Sequence, residues 1–230
     1  AIINTYISPM NPSFVHLKTH SEYSIVDGLL RINTLIDSVA NNDMPAVALT
    51  DQMNLFALVK FYSKAINAGI KPIIGADLVL SERNKDYTIT VLCKNKIGYQ
   101  NLIRLLSRAY LQGQQNDQPR IRWNWLVEAK DGLIILSGGR HGDVGQAILD
   151  GRNKNAAQRL QRWVQHFPQH YYLELQRTQR EQEEDYIHAA IGLADKCKVP
   201  VVATNDVRFL QQDDFEAHEA RICIHQGHVL

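Results

Sequence analysis

The sequence has few cysteines, no long apolar run and almost no net charge, and each of these absences excludes a class of protein. Its three cysteines, Cys93, Cys197 and Cys223, lack the close paired spacing of a disulfide framework or of a cysteine-ligated zinc site. The longest apolar stretches are short runs such as Gly132–Leu136, far below a membrane span. The N-terminus also lacks the basic start of a signal peptide. We therefore expect a cytoplasmic protein that makes no membrane contact.

Charge of one sign is also missing, since 25 Lys and Arg residues face 24 Asp and Glu residues. A net charge of +1 gives no global positive field that would attract a nucleic-acid backbone. Any contact with DNA is therefore expected to be local, or to be made by another part of a larger protein.

What the sequence does contain is an alternation of short β-branched runs with longer segments of helical period. With 230 residues, 45% of them apolar, the chain can bury a sizeable core. The alternation predicts an α/β domain with a largely parallel sheet. The predicted strands are Phe14–His16, Ala46–Thr50, Pro72–Gly75 with Leu78–Leu80, Thr88–Leu92, Leu133–Ser137, Tyr171–Leu175 and Val201–Thr204.

Helices are predicted where apolar residues recur every three or four positions. Gly69 is expected to end the second of them as a left-handed cap, and the polar residues 113–119 predict a surface loop. Such strand-helix units form either a closed barrel or an open doubly wound sheet, and the pattern alone does not choose. The predicted helices are Leu35–Ala40, Leu55–Ile66, Tyr99–Tyr110, Ala156–Phe167 and Glu183–Lys196.

The ends of the chain indicate a piece of a longer protein. Residues 1–9 precede Met10, a candidate natural start, so we interpret them as a leader that is disordered or was added for expression. The last residues, 225–230, carry no clear cap. We expect one domain over residues 10–230, cut short at its C-terminus.

Polar side chains follow the predicted strands, at the edge where functional groups of α/β proteins gather. Imidazole and carboxylate groups placed together suit zinc, manganese or iron. These strand-end residues include Lys18, His20, Asp27, Asp51, Gln52, Asp77, Asp206 and Arg208. The histidines in helical or terminal contexts are instead expected to be solvated or ordinarily hydrogen-bonded: His166, His170, His188, His218, His225 and His228.

Two of the strand-end residues, Lys18 and Arg208, carry a fixed positive charge that conflicts with a metal site. A cation at either place would repel a metal ion. We expect the two cations to pair with Asp27, Asp77 or Asp206 and to fill the space that a metal would occupy.

Six segments of the chain carry a resemblance to one known family: Phe14–Gly28, Ala48–Phe56, Gly69–Asp77, Gly98–Leu102, Gly132–Gly138 and Val201–Val207. They resemble the polymerase and histidinol phosphatase (PHP) domain of bacterial DNA polymerase III alpha subunits. The resemblance extends from about Phe14 to the last residue, and several motifs at matching intervals are more specific than one short pattern. It implies a distorted, TIM-like, seven-stranded β/α barrel whose strand ends hold up to three metal ions in the metal-active relatives.

The resemblance also implies that the metal site of this chain is degenerate. We expect no catalytic residue, no tightly bound cofactor and at most one weakly bound divalent ion, Mg, Mn or Zn. The reason is that two-metal phosphoester chemistry needs its ligand geometry intact. The positions that still match the family's ligands are His20, Asp27, Asp77 and Asp206. The positions where a ligand is lost hold Lys18, Gln52, Thr88, Gly139 and Arg208.

For function, the resemblance implies a noncatalytic structural module in DNA replication that docks the epsilon proofreading exonuclease and joins the remainder of the alpha subunit. The full subunit would be a DNA-directed DNA polymerase, a nucleotidyltransferase whose catalytic carboxylates lie beyond Leu230. This chain alone is therefore expected to be inactive and to meet DNA only through the full polymerase. Trp123 and Trp125, beside Arg120 and Arg122, are candidate anchors for a partner, with packing on the barrel exterior as the alternative.

Two other functions stay open at this point. One is a metal-dependent phosphoesterase or 3′–5′ exonuclease of the same superfamily, which would need ligands at Lys18, Gln52 and Arg208. The other is direct DNA binding through a local basic group, which the near-zero net charge does not favour. That group comprises Arg104, Arg108, Arg120 and Arg122.

Overall fold

The computed structural model of the chain describes residues 14–227, so the predicted leader of residues 1–9 and His228 lie outside the described range. Within this range seven strands and eight α-helices follow one another along the chain. The strands are β1 (Ala46–Leu49), β2 (Lys71–Glu82), β3 (Lys85–Cys93), β4 (Ile121–Arg122), β5 (Leu133–Leu136), β6 (Tyr171–Leu175) and β7 (Val201–Ala203). The helices are α1 (Ile32–Asn41), α2 (Leu58–Asn67), α3 (Lys96–Gln112), α4 (Trp123–Glu128), α5 (Asp143–Leu149), α6 (Asn153–His166), α7 (Glu183–Cys197) and α8 (Phe215–Gln226).

The strands form one curled sheet in the order β1, β2, β3, β5, β6, β7, and the short β4 pairs with β2. Most neighbours are parallel, as predicted, but β3 is antiparallel to both β2 and β5. The cause is local. Arg83 and Asn84 both have positive φ, 51° and 61°, and form a tight turn that sends β3 straight back along β2. The two predicted strand pieces 72–75 and 78–80 are therefore parts of one long β2.

The segment of residues 16–20 joins the two outer strands of the curled sheet. On one side the Ala48 amide donates to the carbonyl of His16, at 2.8 Å, and the Thr50 amide donates to that of Thr19, at 2.9 Å. On the other side the His20 amide donates to the carbonyl of Val207, just after β7, at 2.9 Å. These bonds confirm the predicted distorted barrel. The strand expected at 14–16 is reduced to a bridge between His16 and Val47.

Helices pack on the outside of the sheet through apolar stripes. In α1 the buried residues Ile32, Leu35, Ile36 and Val39 recur at helical spacing and contact Phe61 of α2 in one cluster. Each such side chain contributes about 1.5–3 kcal/mol when fully buried. Gly69 ends α2 with φ of 73°, as predicted for a left-handed cap.

The sequence prediction missed three helices, α4, α5 and α8. The first two have only 6 and 7 residues, too short for a periodic pattern. Helix α8 has 12 residues, and none of those whose burial is described is fully buried, so it has no apolar stripe to detect. Among residues 14–227, no helix is long and apolar enough to cross a membrane.

Candidate metal site

The fold brings the four predicted metal-binding side chains together at the end of the barrel where the parallel strands finish. His20 lies on the closing segment, and Asp27 follows it in the next loop. Asp77 lies in the middle of β2, and Asp206 lies just after β7. Elements far apart in the chain therefore converge on one buried group, as expected for this end of an α/β barrel.

His20 is the centre of this group and is 2% exposed. Its Nε2 lies 2.9 Å from Oδ2 of Asp77, and its Nδ1 lies 3.0 Å from Oδ1 of Asp27. Burial and the Arg208 charge lower the pKa of His20, but the hydrogen bonds to the two carboxylates outweigh them and raise it. An imidazole engaged at both nitrogens has no lone pair directed at a metal.

Lys18 enters the same group as a buried cation, 4% exposed. Its Nζ lies 3.2 Å from Oδ2 of Asp77. Burial alone would lower the pKa of Lys18, but the neighbouring carboxylates, Asp77 first among them, raise it above its ordinary value. In turn, burial would raise the pKa of Asp77, but the Lys18 and His20 partners hold it well below its usual range. Both groups are therefore charged at neutral pH.

Arg208 closes the group from the other side and lies against the His20 ring. Its Nη2 lies 2.7 Å from Oδ1 of Asp206, and its Nη1 pairs with Asp27. Burial opposes ionisation of Asp206, but the Arg208 and Lys18 charges lower its pKa. The predicted pairing of Lys18 and Arg208 with these aspartates is thus confirmed. We call Lys18, His20, Asp27, Asp77, Asp206 and Arg208 the ion-paired network.

Two buried carboxylates lie beside the network: Asp51, predicted as a strand-end residue but not as a metal ligand, and Glu174, which the sequence analysis did not single out. Asp51, after β1, accepts hydrogen bonds from the Ser21 amide, at 2.6 Å, and from the Ser24 hydroxyl, at 2.9 Å. Glu174, in β6, accepts from the Gly138 amide, at 3.0 Å, and from the Thr204 hydroxyl. Burial raises the pKa of both carboxyls. Their positions at strand ends are the one signal in the sequence that points to them.

The remaining substituted positions offer no metal ligand in their described surroundings. The Thr88 residue faces Val79 in the β2–β3 ladder, while Thr90, two residues later, donates its hydroxyl to Asp77. Gly139 begins a one-turn 3₁₀ helix with φ of 56° and has no side chain. Gln52 bridges to Asp77 through its backbone and is half-buried.

The residues of this group do not fit a bound metal ion. The donor atoms of His20, Asp27, Asp77 and Asp206 already bond to one another or to two fixed cations, and those cations would repel a metal. Within the described range, no group of three His, Cys, Asp or Glu side chains has an arrangement that could hold a metal ion.

The predicted surface residues are mostly engaged within the protein. Trp125 is 4% exposed and lies beneath Arg108 and Arg122, so packing within the protein, the alternative to a partner anchor, holds for it. Trp123 is half-buried, with the guanidinium of Arg162 3.8 Å above its ring.

Of the proposed basic group, Arg108 pairs with Glu128 and Arg120 with Asp86. The histidines predicted to be ordinary are hydrogen-bonded or exposed. His166 and His188 bond to carbonyls four residues earlier in their own helices, His170 bonds to Pro168 and Lys94, and His218 bonds to the Asp27 carbonyl, while His225 is exposed.

A sequence model of the PHP domain matches residues 16–178. This chain belongs to the PHP domain family. The match covers most of the barrel and includes the closing segment with Lys18 and His20.

Curated relatives agree with the PHP match. The chain is 49% identical over 224 residues to the DNA polymerase III subunit alpha of Pseudomonas aeruginosa, covering 96% of this chain and 19% of that protein. It is also 49% identical over 222 residues to the Escherichia coli subunit of the same name, covering 95% of this chain and 19% of that protein. The chain thus spans about a fifth of the length of these relatives.

Among solved structures, a candidate metal-dependent phosphoesterase from Bifidobacterium adolescentis has a similar PHP fold. The TM-score is 0.53 at 9% identity, and the alignment covers 92% of this chain and 97% of that one. At this identity the likeness concerns the fold alone.

Proposed function

We propose that this chain is the PHP module of a DNA polymerase III alpha subunit and acts there as a noncatalytic scaffold that docks the epsilon proofreading exonuclease. The polymerase activity would reside in the rest of that subunit, and the module would meet DNA through the whole enzyme in the cytoplasm. The family and the 49% identity to alpha subunits support the replication role.

The observation that carries the noncatalytic part is the position of Lys18 and Arg208. Metal-assisted phosphoester hydrolysis needs an ion held with open coordination positions next to the substrate. Here two cations bind the carboxylates that would hold it, and both carry partners that keep them charged. A metal-dependent phosphoesterase or 3′–5′ exonuclease, the alternative for this fold, would have to displace both cations.

Docking of the exonuclease is supported by the expected separation of the polymerase and proofreading activities into two chains. A polymerase module whose strand-end carboxylates are bound by Lys18 and Arg208 would leave proofreading to a separate chain. A rigid barrel closed around a buried charge network is a suitable platform for that chain, since rigid elements position partners better than loops do.

Two measurements on the 230-residue chain test the proposal. The first mixes it with the epsilon subunit of the same organism and follows complex formation by size-exclusion chromatography with light scattering. A stable complex is expected, and two separate peaks at micromolar concentrations would contradict docking.

The second measurement is metal analysis after incubation with Mn²⁺ or Zn²⁺ and gel filtration. We expect far less than one bound ion per chain. The variant Arg208→His should gain metal relative to the matched variant Arg177→His, because Arg177 is exposed and outside the network. Stoichiometric, ordered metal in the unaltered chain would contradict the noncatalytic role, whatever the outcome of docking.

A further inference from the structure

A cleft of about 350 Å³ lies between helix α6 and the hairpin that joins β2 to β3. Its lining residues do not belong to the ion-paired network. Five of them are cationic: Arg83 and Lys85 on the hairpin, and Arg152, Arg159 and Arg162 in and just before α6. We call this feature the cationic cleft.

Arg159 is held rigidly at the floor of the cationic cleft by neutral groups. Its Nε donates to Oδ1 of Asn155 at 2.7 Å, and its Nη2 donates to the Tyr87 hydroxyl at 3.2 Å. The guanidinium also lies 5.0 Å from the centre of the Tyr87 ring. These neutral acceptors fix the position of the guanidinium without cancelling its charge. Its carboxylate neighbour, Asp143, is more distant, with Oδ2 3.7 Å from Nη1, so Arg159 presents a positioned positive charge to the cleft.

The carboxylates near the cleft do not balance its cations. Glu82 forms a two-bond pair with Arg162, and Asp150 pairs with Arg152. The buried Asp143 has one oxygen 3.7 Å from Arg159 and 3.9 Å from Arg162, and burial raises its pKa. Three carboxylates thus face five cations.

The rim of the cleft carries the surplus charge. Arg83 and Lys85 are exposed, and neither forms an ion pair with a described residue. Arg83 occupies a turn position with φ of 51°, which Asn, Asp or Gly adopt at lower cost. The hairpin therefore places two exposed cations beside the positioned Arg159.

We propose that the cationic cleft binds phosphate groups, with Arg159 as the fixed contact and Arg83 and Lys85 closing on the anion from the rim. Guanidinium forks match phosphate oxygens in geometry and charge. One water molecule occupies about 30 Å³ in the liquid. The cleft volume of about 350 Å³ is many times larger, so a chain of several phosphates fits. Tyr87, the aromatic lining residue, is 4% exposed, so the lining offers no ring on which a base could stack. The site recognises phosphate and not the base.

Titration calorimetry of the 230-residue chain with sodium tripolyphosphate at low salt tests this proposal. We expect saturable binding that weakens steeply with salt. The double variant Arg83→Ala, Lys85→Ala removes only exposed rim cations and should weaken binding by about tenfold. The matched control Lys71→Ala, Arg104→Ala removes the same charge from exposed positions outside the cleft and should leave binding within about twofold.

Two competitors separate the sources of phosphate and the competing ligand class. If oligothymidylate without a terminal phosphate displaces tripolyphosphate, the cleft binds the phosphates of a DNA backbone. If it does not, the cleft binds free polyphosphate, such as that of a nucleotide. Equal weakening by the control pair, equally tight binding of polyglutamate, or the absence of saturable binding would each overturn the proposal.

Discussion

The two ends of the barrel interior are lined by side chains of opposite character, charged at one end and apolar at the other. Where the parallel strands finish, the interior holds the ion-paired network, in which each charge lies against a partner of opposite sign. At the other end, apolar side chains such as Leu17, Ile73, Leu136 and Tyr172 surround a cavity of about 330 Å³. Two successive residues of the closing segment lie at opposite ends: Leu17 lines the apolar cavity, and Lys18 belongs to the ion-paired network.

The difference in side-chain character determines how well each end of the barrel tolerates an amino-acid substitution. An apolar lining tolerates imperfect packing, because dispersion contacts are individually weak and a gap forfeits only those next to it. A buried charge network does not, because removing one member leaves its partner charged and out of water. The network end is therefore expected to be the more sensitive to single substitutions.

The largest expected effect comes from Lys18→Met. This change removes the lysine partner of the Asp77 carboxylate, which is 1% exposed and keeps His20 as its remaining ionisable partner, and should lower the free energy of unfolding by about 3 to 5 kcal/mol. Urea denaturation measures it. The matched control Lys198→Met removes an exposed lysine paired with Asp195 and should cost less than about 1 kcal/mol. A similar loss in both variants would show that burial of the pair is unimportant.

A smaller effect is expected from Leu136→Ala at the apolar end. Leu136 is 1% exposed, but it borders an existing cavity, so the expected loss is about 2 to 3 kcal/mol, at the low end for such truncations. The control Leu111→Ala changes a side chain that is 82% exposed and should have little effect. If Leu136→Ala destabilised the protein more than Lys18→Met, the comparison of the two ends would be reversed.

The smallest expected effect is a difference in acid sensitivity. The folded-state pKa of Asp77 lies below its ordinary 3.8, so its stabilisation is present above that pH and is lost as the pH falls through the folded-state value. Glu174, whose pKa burial raises, acts in the opposite direction. Urea denaturation between about pH 5 and pH 2 should show a steeper acid loss for the unaltered chain than for Lys18→Met, because the Asp77 contribution is lost below its ordinary pKa. Parallel curves would contradict a network held together by Lys18.

The sequence predicts those parts of the fold that have a strong local signal. Helix α1 is predicted from the apolar period at Leu35–Ala40, and the cap at Gly69 from its residue type. The direction of β3 is not predicted, because it depends on a two-residue turn at Arg83 and Asn84 that lacks the usual glycine. The two-residue β4 is too short for any pattern.

The candidate site shows the same limit. Lys18 and Arg208 reveal themselves in the sequence because fixed cations stand where ligands are expected, and their pairing follows from charge alone. The hydrogen-bond partners of Asp51 and Glu174 are not apparent in the sequence, because they are amides and hydroxyls of Ser21, Gly138 and Thr204 that only the folded chain brings near. The metal roles of His20, Asp27, Asp77 and Asp206 stay predictions.

Closure of the barrel by residues 16–20 has a consequence for how the chain folds during synthesis. This segment leaves the ribosome early, yet one of its neighbours is Val207, near the other end of the sequence. At the usual 5 to 20 residues per second, about 10 to 40 s separate the two segments. During that time the early segment lacks one hydrogen-bonded neighbour, and the contact is of the long-range kind that slows folding. The nascent barrel is therefore expected to stay open, and dependent on protection from aggregation, until its last strand emerges.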